Sequence, residues 1–477
     1  MNLDDTIAAI ATPLGEGGLA VIRISGANAL AVADKAFTPV GKNSRKPSAA
    51  ESHTIHYGKV MRAGKQVDEV LCAVMLAPRT FTREDIVEIT CHGGILSTKL
   101  VLDTVLEAGA RLALPGEFTQ RAFLNGRLDL SQAEAVADLI HSRTELALSA
   151  ANEQLAGKLS ARINQLRDDL MHTLAHIEAH IDFPEEDIAP DTRANLEGRM
   201  ERGIAFMDEL LRTANEGQIL RRGIRAAIIG RPNAGKSSLL NQLLGHERAI
   251  VSPIAGTTRD TIEETANVRG IPVVFIDTAG LREAKDDIES EGIRRSRESL
   301  ARAEFILHVL DASEPLTKED ETFLAEFSDK KRILVINKTD LPRKLVVPME
   351  YQVGRAVRCP PDGAHGVTRP TTSALVDVCC DSGSGIEQLK DAIKSLVWSG
   401  AVTNEMAQVT INSRHQDALR RARESVQLAL DALRADASLE FVALDLRIGA
   451  NAVGEVVGKT TTEDLLDSIF STFCLGK

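Results

Sequence analysis

A chain of 477 residues is too long for one hydrophobic core, and a hydrophobic fraction of 43% can fill roughly three of ordinary size. With 56 basic against 68 acidic residues the formal charge is −12, which excludes a general attraction to nucleic acid or anionic lipid and leaves any RNA to a local basic patch or a partner. The six cysteines (Cys72, Cys91, Cys359, Cys379, Cys380 and Cys474) form no C-x-x-C pair, which argues against structural zinc and a disulfide framework. The opening MNLDDTIAAI lacks the basic flank of a signal peptide, and no run approaches a membrane span, so a reducing cytoplasm is the expected location.

In chain order, the first stretch reads as mixed α/β. TIAAIATPLGEGGLAVIRISG holds two apolar runs split by a Gly-rich turn at Gly15–Gly18, which suits a hairpin. DIVEITCHGG has strand character, and ILSTKLVLDTVLEAG follows as an amphipathic helix capped at Gly109. From Leu130 to about Leu220 apolar residues recur at spacings of three and four with no proline until DFPEEDIAPD, which predicts a long helical tract. Ser131 with Glu134 fits a capping box at its start. From IRAAIIG onward, short apolar strands alternate with helices through VVFIDTAG, FILHVLDAS and RILVINKTD to GIEQLKDAIKSLV, the signature of a parallel sheet with crossover helices. After Trp398 helical texture returns, so a helical domain in two segments with an α/β domain between them is expected.

Within that middle segment GRPNAGKS matches G-x-x-x-x-G-K-[ST], follows a strand and opens the helix SSLLNQLLG. Asn233, Ala234, Gly235, Lys236, Ser237 and Ser238 would cradle phosphates on backbone N–H groups, with Lys236 on the outer phosphates and Ser237 on Mg²⁺. VSPIAGTTRD offers Ser252, Pro253, Ile254, Ala255, Gly256, Thr257 and Thr258 as a loop over the metal and terminal phosphate, with Thr258 the second Mg²⁺ ligand. DTAG adds Asp277, Thr278, Ala279 and Gly280, and NKTD adds Asn337, Lys338 and Asp340. Asp340 is an acceptor-only group suited to guanine N1–H and N2–H₂, which adenine cannot offer, so the ligand is read as GTP. By spacing from GIEQLKDAI, the usual Ser-Ala-Lys signature is replaced by Cys379-Cys380-Asp381, and VPMEYQVGRAVRCPPDGAHGVTRPTT before it reads as loop or disorder. The residue after Gly280 is Leu281, which cannot orient water as a glutamine does, so another group must neutralise charge growing between the phosphates.

GRPNAGKSSLLN, IAGTTRD, DTAGLRE and FCLGK, with ATPLGEGGLAVIRISG, EDIVEITCHGG and PGEFTQRAFLNGRLDLSQAEAVADLI, resemble the MnmE (TrmE) family of TrmE-Era-EngA-like GTPases over nearly the whole chain. The resemblance implies an α+β and α/β architecture in several domains. These are a tetrahydrofolate-binding-like and dimerisation domain at 1–125, a helical domain at 126–220 and 399–477, and an inserted P-loop GTPase domain with a Ras-like parallel sheet at 221–398. It implies K⁺-activated hydrolysis, with Asn233 and backbone oxygens at Ser252, Ile254 and Thr257 around the ion, and Glu289 orienting water. Asn233 also reads as a turn residue of positive φ, and Glu289 as a solvated charge.

The same resemblance implies a reduced folate (5-formyl- or 5,10-methylene-tetrahydrofolate) at Arg23, Glu88, Arg127 and Lys477; by themselves Arg23 and Glu88 read as strand charges facing solvent. Cys474 stands where a prenylation box would place a cysteine, but Leu475-Gly476-Lys477 does not fit that box. The resemblance gives Cys474 a part in modification, as a nucleophile or as a small apolar packing group where the last helix folds back on the first domain. The implied function is a homodimeric GTPase that, with an MnmG-type FAD protein in a heterotetramer, installs an aminomethyl-type group (aminomethyl or carboxymethylaminomethyl) at C5 of the tRNA wobble uridine, U34. The rivals are an Era-like ribosome-assembly GTPase, which predicts a basic RNA-binding module, and a regulatory or membrane switch, which predicts a lipid motif or basic amphipathic helix.

Overall fold

The computed structural model describes residues 4–42, 44–182, 190–245, 263–276, 302–326, 330–348, 373–398, 411–474 and 476. The chain divides into two compact units. One comprises Met1–Ile140, Ala151–Arg212 and Ser413–Lys477; the other comprises His141–Ala150 and Thr213–Asn412.

The first unit contains a seven-stranded sheet of β1 (Ile7–Ile10), β2 (Gly17–Ser25), β3 (Phe37–Pro39), β4 (Thr54–Arg62), β5 (Lys65–Met75), β6 (Ile86–Gly93) and β7 (Arg111–Leu112). Their order is β3-β4-β5-β6-β2-β1-β7. The Gly-rich turn does join a hairpin, with Ile7 opposite Ser25 and Ile10 opposite Ile22. Val87, Ile89 and Cys91 alternate onto one face of β6 and are buried, with Val101 and Val105 of α2 (Ile95–Glu107) and Val32 of α1 (Ala29–Ala36), in one cluster. The helix predicted at 95–108 ends as expected, and Gly109 takes φ +120.

Short helices α3 (Glu117–Leu124) and α4 (Leu130–His141) lead to α5 (Glu145–Leu155), α6 (Lys158–Asp182) and α7 (Pro190–Arg212). The helical tract is therefore interrupted at Ser142–Thr144 and at Ala156–Gly157, and Gly157 adopts φ +87. The cap of α4 is also not the pair expected. The Gln132 N–H donates to Asp129 Oδ1 at 2.9 Å, and the Asp129 N–H donates to Gln132 Oε1 at 3.0 Å. Ser131 instead donates to Asp129, and Glu134 is drawn to Arg414 and His415. Two overlapping four-residue patterns fit the same helix start, and long-range charge pairing took Glu134 away from the local role.

The remainder of this unit is α12 (Ser413–Arg434), α13 (Leu439–Val457) and α14 (Glu463–Phe470). Ala418, Leu419, Ala422, Val426, Ala429, Leu430 and Leu433 form the buried stripe of α12. It packs on α13 and α7, and α13 packs on α6, giving a four-helix bundle. Arg193 pairs with Asp436, Arg434 with Glu201 and Arg423 with Asp208, so α7 and α12 run antiparallel.

The second unit is built on α8 (Ala214–Arg222), β8 (Ile224–Ile229), α9 (Lys236–Leu244), β9 (Glu263–Val268), β10 (Ile271–Ile276), β11 (Phe305–Asp311), α10 (Lys318–Glu326), β12 (Lys331–Asn337), β13 (Ser373–Asp377) and α11 (Ile386–Val397). The sheet order is β13-β12-β11-β8-β10-β9, parallel except where β9 pairs with β10. Every residue of β10 and β11 is buried, as expected for parallel strands covered on both faces. Ala147 and Ala150 enter this core, so 141–150 and 213–220 pack with the nucleotide-type sheet rather than with the helices assigned to them by texture.

His308 in β11 is buried, and neither ring nitrogen meets a hydrogen-bond partner among the described residues. Burial holds its pKa down at about 4, opposed by Asp320 and assisted by Arg332. The sign follows from linkage. The unfolded imidazole titrates near 6.5 and the folded one near 4, so the folded state binds fewer protons and loses stability as pH falls between those values. Relative to His308→Phe, the natural protein should lose about 2 kcal/mol between pH 7 and pH 5 in urea titrations of the second unit. Parallel pH profiles for the two proteins would contradict this.

Candidate functional site

The P-loop runs from the end of β8 to the start of α9, at the carboxyl ends of the strands, where the parallel sheet exposes strand termini. Asn233 sits on its exposed rim with φ +61, which answers the turn reading of this residue. Gly235 caps α9 at φ +98, and a Cβ there would lie 2.1 Å from Asn337 Nδ2. Only glycine allows that approach. The Lys236 ammonium folds back to Gly230 O and Arg231 O, each at 2.7 Å. Ser237 and Ser238 are exposed on the first turn of α9, where N–H groups have no intrahelical acceptor and the helix dipole is positive. Arg231 is held by Glu314 and Asp320 at 2.9–3.1 Å.

Asn337, at the end of β12, connects the loops. Its Nδ2 donates to Ala234 O at 2.9 Å, and its Oδ1 accepts the Cys380 N–H at 3.2 Å. A buried amide used on both sides fixes the Gly-rich loop against the Cys379-Cys380 turn. Lys338 takes φ +62 and pairs with Asp311 at 2.6 Å. Burial pushes the Asp311 carboxyl up, but Lys338 and Ser313 outweigh it and hold its pKa below the usual range. Asp311 was not singled out by motif; it ends the apolar run of β11 beside NKTD, which was the available signal. Asp340 is exposed at the end of the turn, and its Oδ1 accepts from the Cys379 thiol at 3.2 Å. Asn233, Ala234, Gly235, Lys236, Ser237, Asn337, Lys338 and Asp340 thus converge, and Cys379-Cys380 occupy the fifth-signature position read from spacing. Ser252, Pro253, Ile254, Ala255, Gly256, Thr257, Thr258, Asp277, Thr278, Ala279, Gly280, Leu281 and Glu289 lie outside the described residues, as do 349–372 and Lys477.

In the first unit, Arg23 and Glu88 are opposite each other on β2 and β6 and pair at 2.7 Å. Their side chains are only 18% and 27% exposed, so neither is a free solvent-facing charge. The Arg23 guanidinium lies 5.7 Å from the Phe118 ring centroid, and that of Arg127 lies 5.1 Å from Phe81. Phe81 and Phe118 belong to one apolar cluster, which brings the two arginines to the same aromatic floor. Arg127 also donates to Thr80 O at 2.8 Å.

The segment after α14 closes onto this region. Phe470 and Phe473 pack with Leu130 and Ala133, and Gly116 N–H donates to Cys474 O at 3.4 Å. Arg23 Nη1 donates to Gly476 O at 3.4 Å, and a Cβ on Gly476 would meet Ile10 O at 2.4 Å. Cys474 is exposed and free. It lies beside the arginine-bearing face, between the Cys474 carbonyl's bond from Gly116 and the Gly476 carbonyl's bond from Arg23. Among the described residues no helix is long and apolar enough to cross a membrane.

The family model for the TrmE N-terminus (GTP-binding protein TrmE N-terminus) matches residues 6–127, and that for the MnmE helical domain matches residues 130–474. The tRNA modification GTPase MnmE of Bacillus velezensis is 45% identical over 99% of this chain and 100% of its own. Those of Geobacillus kaustophilus and Chloroflexus aurantiacus are each 47% identical, over 99% of both chains and over 100% of both chains respectively. The Gly-rich loop joined through Asn337 to the Cys379-Cys380 turn and the end-to-end match agree: the chain belongs to the MnmE (TrmE) family of tRNA modification GTPases.

Proposed function

We propose that this GTPase uses GTP turnover to drive modification of C5 of the wobble uridine of tRNA, with a reduced folate as one-carbon donor and an MnmG-type FAD protein as partner. The observation that carries the reading is the joining of Arg23, Glu88 and the Gly476 carbonyl on one face of the first unit, in a chain that also carries a guanine-nucleotide site. Glu88 suits the donor edge of a pterin, and Arg23 and Arg127 suit the anionic tail of a folate; Lys477 is assigned to the same tail by family resemblance. A bound Mg²⁺, held by Ser237 and Thr258, and K⁺, near Asn233 and the backbone of Ser252, Ile254 and Thr257, would supply positive charge at the phosphates. Lys236 contributes a cation from the chain itself, and Glu289 is proposed to orient water. A homodimer through the first domain and a heterotetramer with the flavoprotein complete the proposal. The acidic overall charge supports delegation of most tRNA contact to that partner.

Two measurements test it. Cys474→Ser should abolish wobble-uridine modification, read by mass spectrometry of cellular tRNA, while GTP turnover stays within about twofold, because Cys474 and the phosphate loop lie in different units. Loss of both activities would assign Cys474 to folding instead. GTP turnover should be at least about tenfold faster in K⁺ than in Na⁺ if the cation replaces an arginine finger. Equal rates would remove Asn233 and its three companions as a cation cage.

A further inference from the structure

The Cys379-Cys380-Asp381 stretch follows β13 and returns on itself, with Cys379 N–H donating to Ser384 O at 2.9 Å and Gly383 N–H donating to Cys379 O at 2.9 Å. Four contacts lock this turn to the nucleotide site. Thr339 donates its hydroxyl to Val378 O at 3.0 Å, and Cys380 N–H donates to Asn337. Gln242 from α9 donates to Cys380 O at 2.6 Å, and the Cys379 thiol donates to Asp340 Oδ1 at 3.2 Å. The two thiols are not equivalent. Cys380 packs in the core with Leu239, Val335 and Ile386, and burial pushes its pKa up to about 11. Cys379, although itself 5% exposed, touches Asp340, the acceptor assigned to guanine in the sequence reading of NKTD.

We propose that Cys379 is a positioning residue for guanine recognition, its S–H holding the Asp340 carboxylate in the orientation that accepts guanine N1–H and N2–H₂. The inference rests on the reading of Asp340 as the base acceptor. An exposed carboxylate rotates freely about its terminal bond, and only one oxygen orientation presents both acceptors to the two donors of guanine. A donor on Oδ1 selects that orientation before nucleotide arrives. Thiol is a weak donor, so this chain orients its base reader with a softer bond than the serine of the usual signature would make. The bond to an ionised acceptor still contributes to binding.

The test measures Kd for GTP, ITP and ATP on the full chain carrying Cys379→Ala or Cys379→Ser. ITP lacks the 2-amino group, so the ratio of ITP to GTP dissociation constants reports how well Asp340 is placed. Cys379→Ala should weaken GTP fivefold to tenfold and shrink the ITP/GTP ratio by a similar factor, with ATP binding unchanged. Cys379→Ser restores a hydroxyl donor and should return the ratio to the natural value or above. If Cys379→Ala leaves the ratio unchanged, or shifts GTP, ITP and ATP equally, the thiol only packs and the proposal fails. If the natural chain itself does not prefer GTP to ATP, the reading of Asp340 fails first, and the two failures are thereby distinguished. Should Cys379→Ala not fold, Cys379→Ser alone decides: a ratio collapsed in a folded serine variant overturns the donor role.

Discussion

Asp340→Asn should cost GTP affinity roughly a thousandfold and confer binding of xanthosine triphosphate. The physical reason is the exchange of an acceptor for a donor at a site that must pair with two donors. The asparagine carbonyl can still accept from guanine N1–H, but its amide N–H now faces N2–H₂ and leaves polar groups unpaired, which is the situation that discriminates most strongly between ligands. Xanthine carries an oxygen at C2, which the amide donor satisfies. The phosphate loop should be untouched, because its contacts run through Asn337, Lys236 and Gly235 rather than Asp340. Competition binding with the two nucleotides checks this, and GTP affinity retained within threefold would mean that Asp340 does not read the base.

Arg121→Met should destabilise the first unit by about 3–5 kcal/mol. Arg121 in α3 is fully buried, donates to Asp5 O at 2.9 Å and to Glu84 at 3.1 Å, and reaches Glu117 at 3.1 Å and the Asp5 carboxylate. Arg111 shares Asp5 and Glu117. Hydrogen bonds from Arg111, with a smaller share from Arg121, outweigh burial and hold the Asp5 pKa below the usual range. For Glu117 burial is the largest influence and pushes upward, and the arginines with the Leu114 N–H overcome it. Removing Arg121 leaves Asp5 and Glu117 to Arg111 and takes from the largely buried Glu84 the guanidinium it is paired with, and a methionine of similar length cannot repair the charge imbalance. Chemical denaturation measures the loss. Glu84→Gln in the Arg121→Met background should recover part of it, since the carboxylate that lost its guanidinium is then neutral. A loss below 1 kcal/mol would show that the network contributes nothing net.

The local structure of the GRPNAGKS and NKTD segments was legible because it is encoded locally: a strand, a Gly-rich loop and a helix start occur within a dozen residues, and Asn337 and Asp340 follow a strand in the same way. The spacing argument placed Cys379 and Cys380 next to NKTD, where they contact Asp340 and Asn337, because the helix at 386–397 fixes the frame. Arg121 was not legible as a buried cation. In GEFTQRAFLNG it has the spacing of an exposed helix charge, and its partners Asp5 and Glu84 arrive from other elements. The capping error at Ser131 has the same origin, since Arg414 and His415, which claim Glu134, lie across the whole inserted unit. The pairing of Gly116 with Cys474 and of Arg23 with Gly476 depends on tertiary closure, for which no periodic signal exists.

The antiparallel pairing of α7 with α12 has a kinetic meaning. These helices are separated by about 200 residues of chain, so joining them while that stretch is unstructured means closing a very long loop, at an entropic cost of about 5 kcal/mol. Folding of the intervening sheet shortens the free chain that must be closed and lowers that cost. The bundle is thus favoured to assemble after the inserted unit, and a slow-folding insert would delay the helices on either side of it, however well they pack.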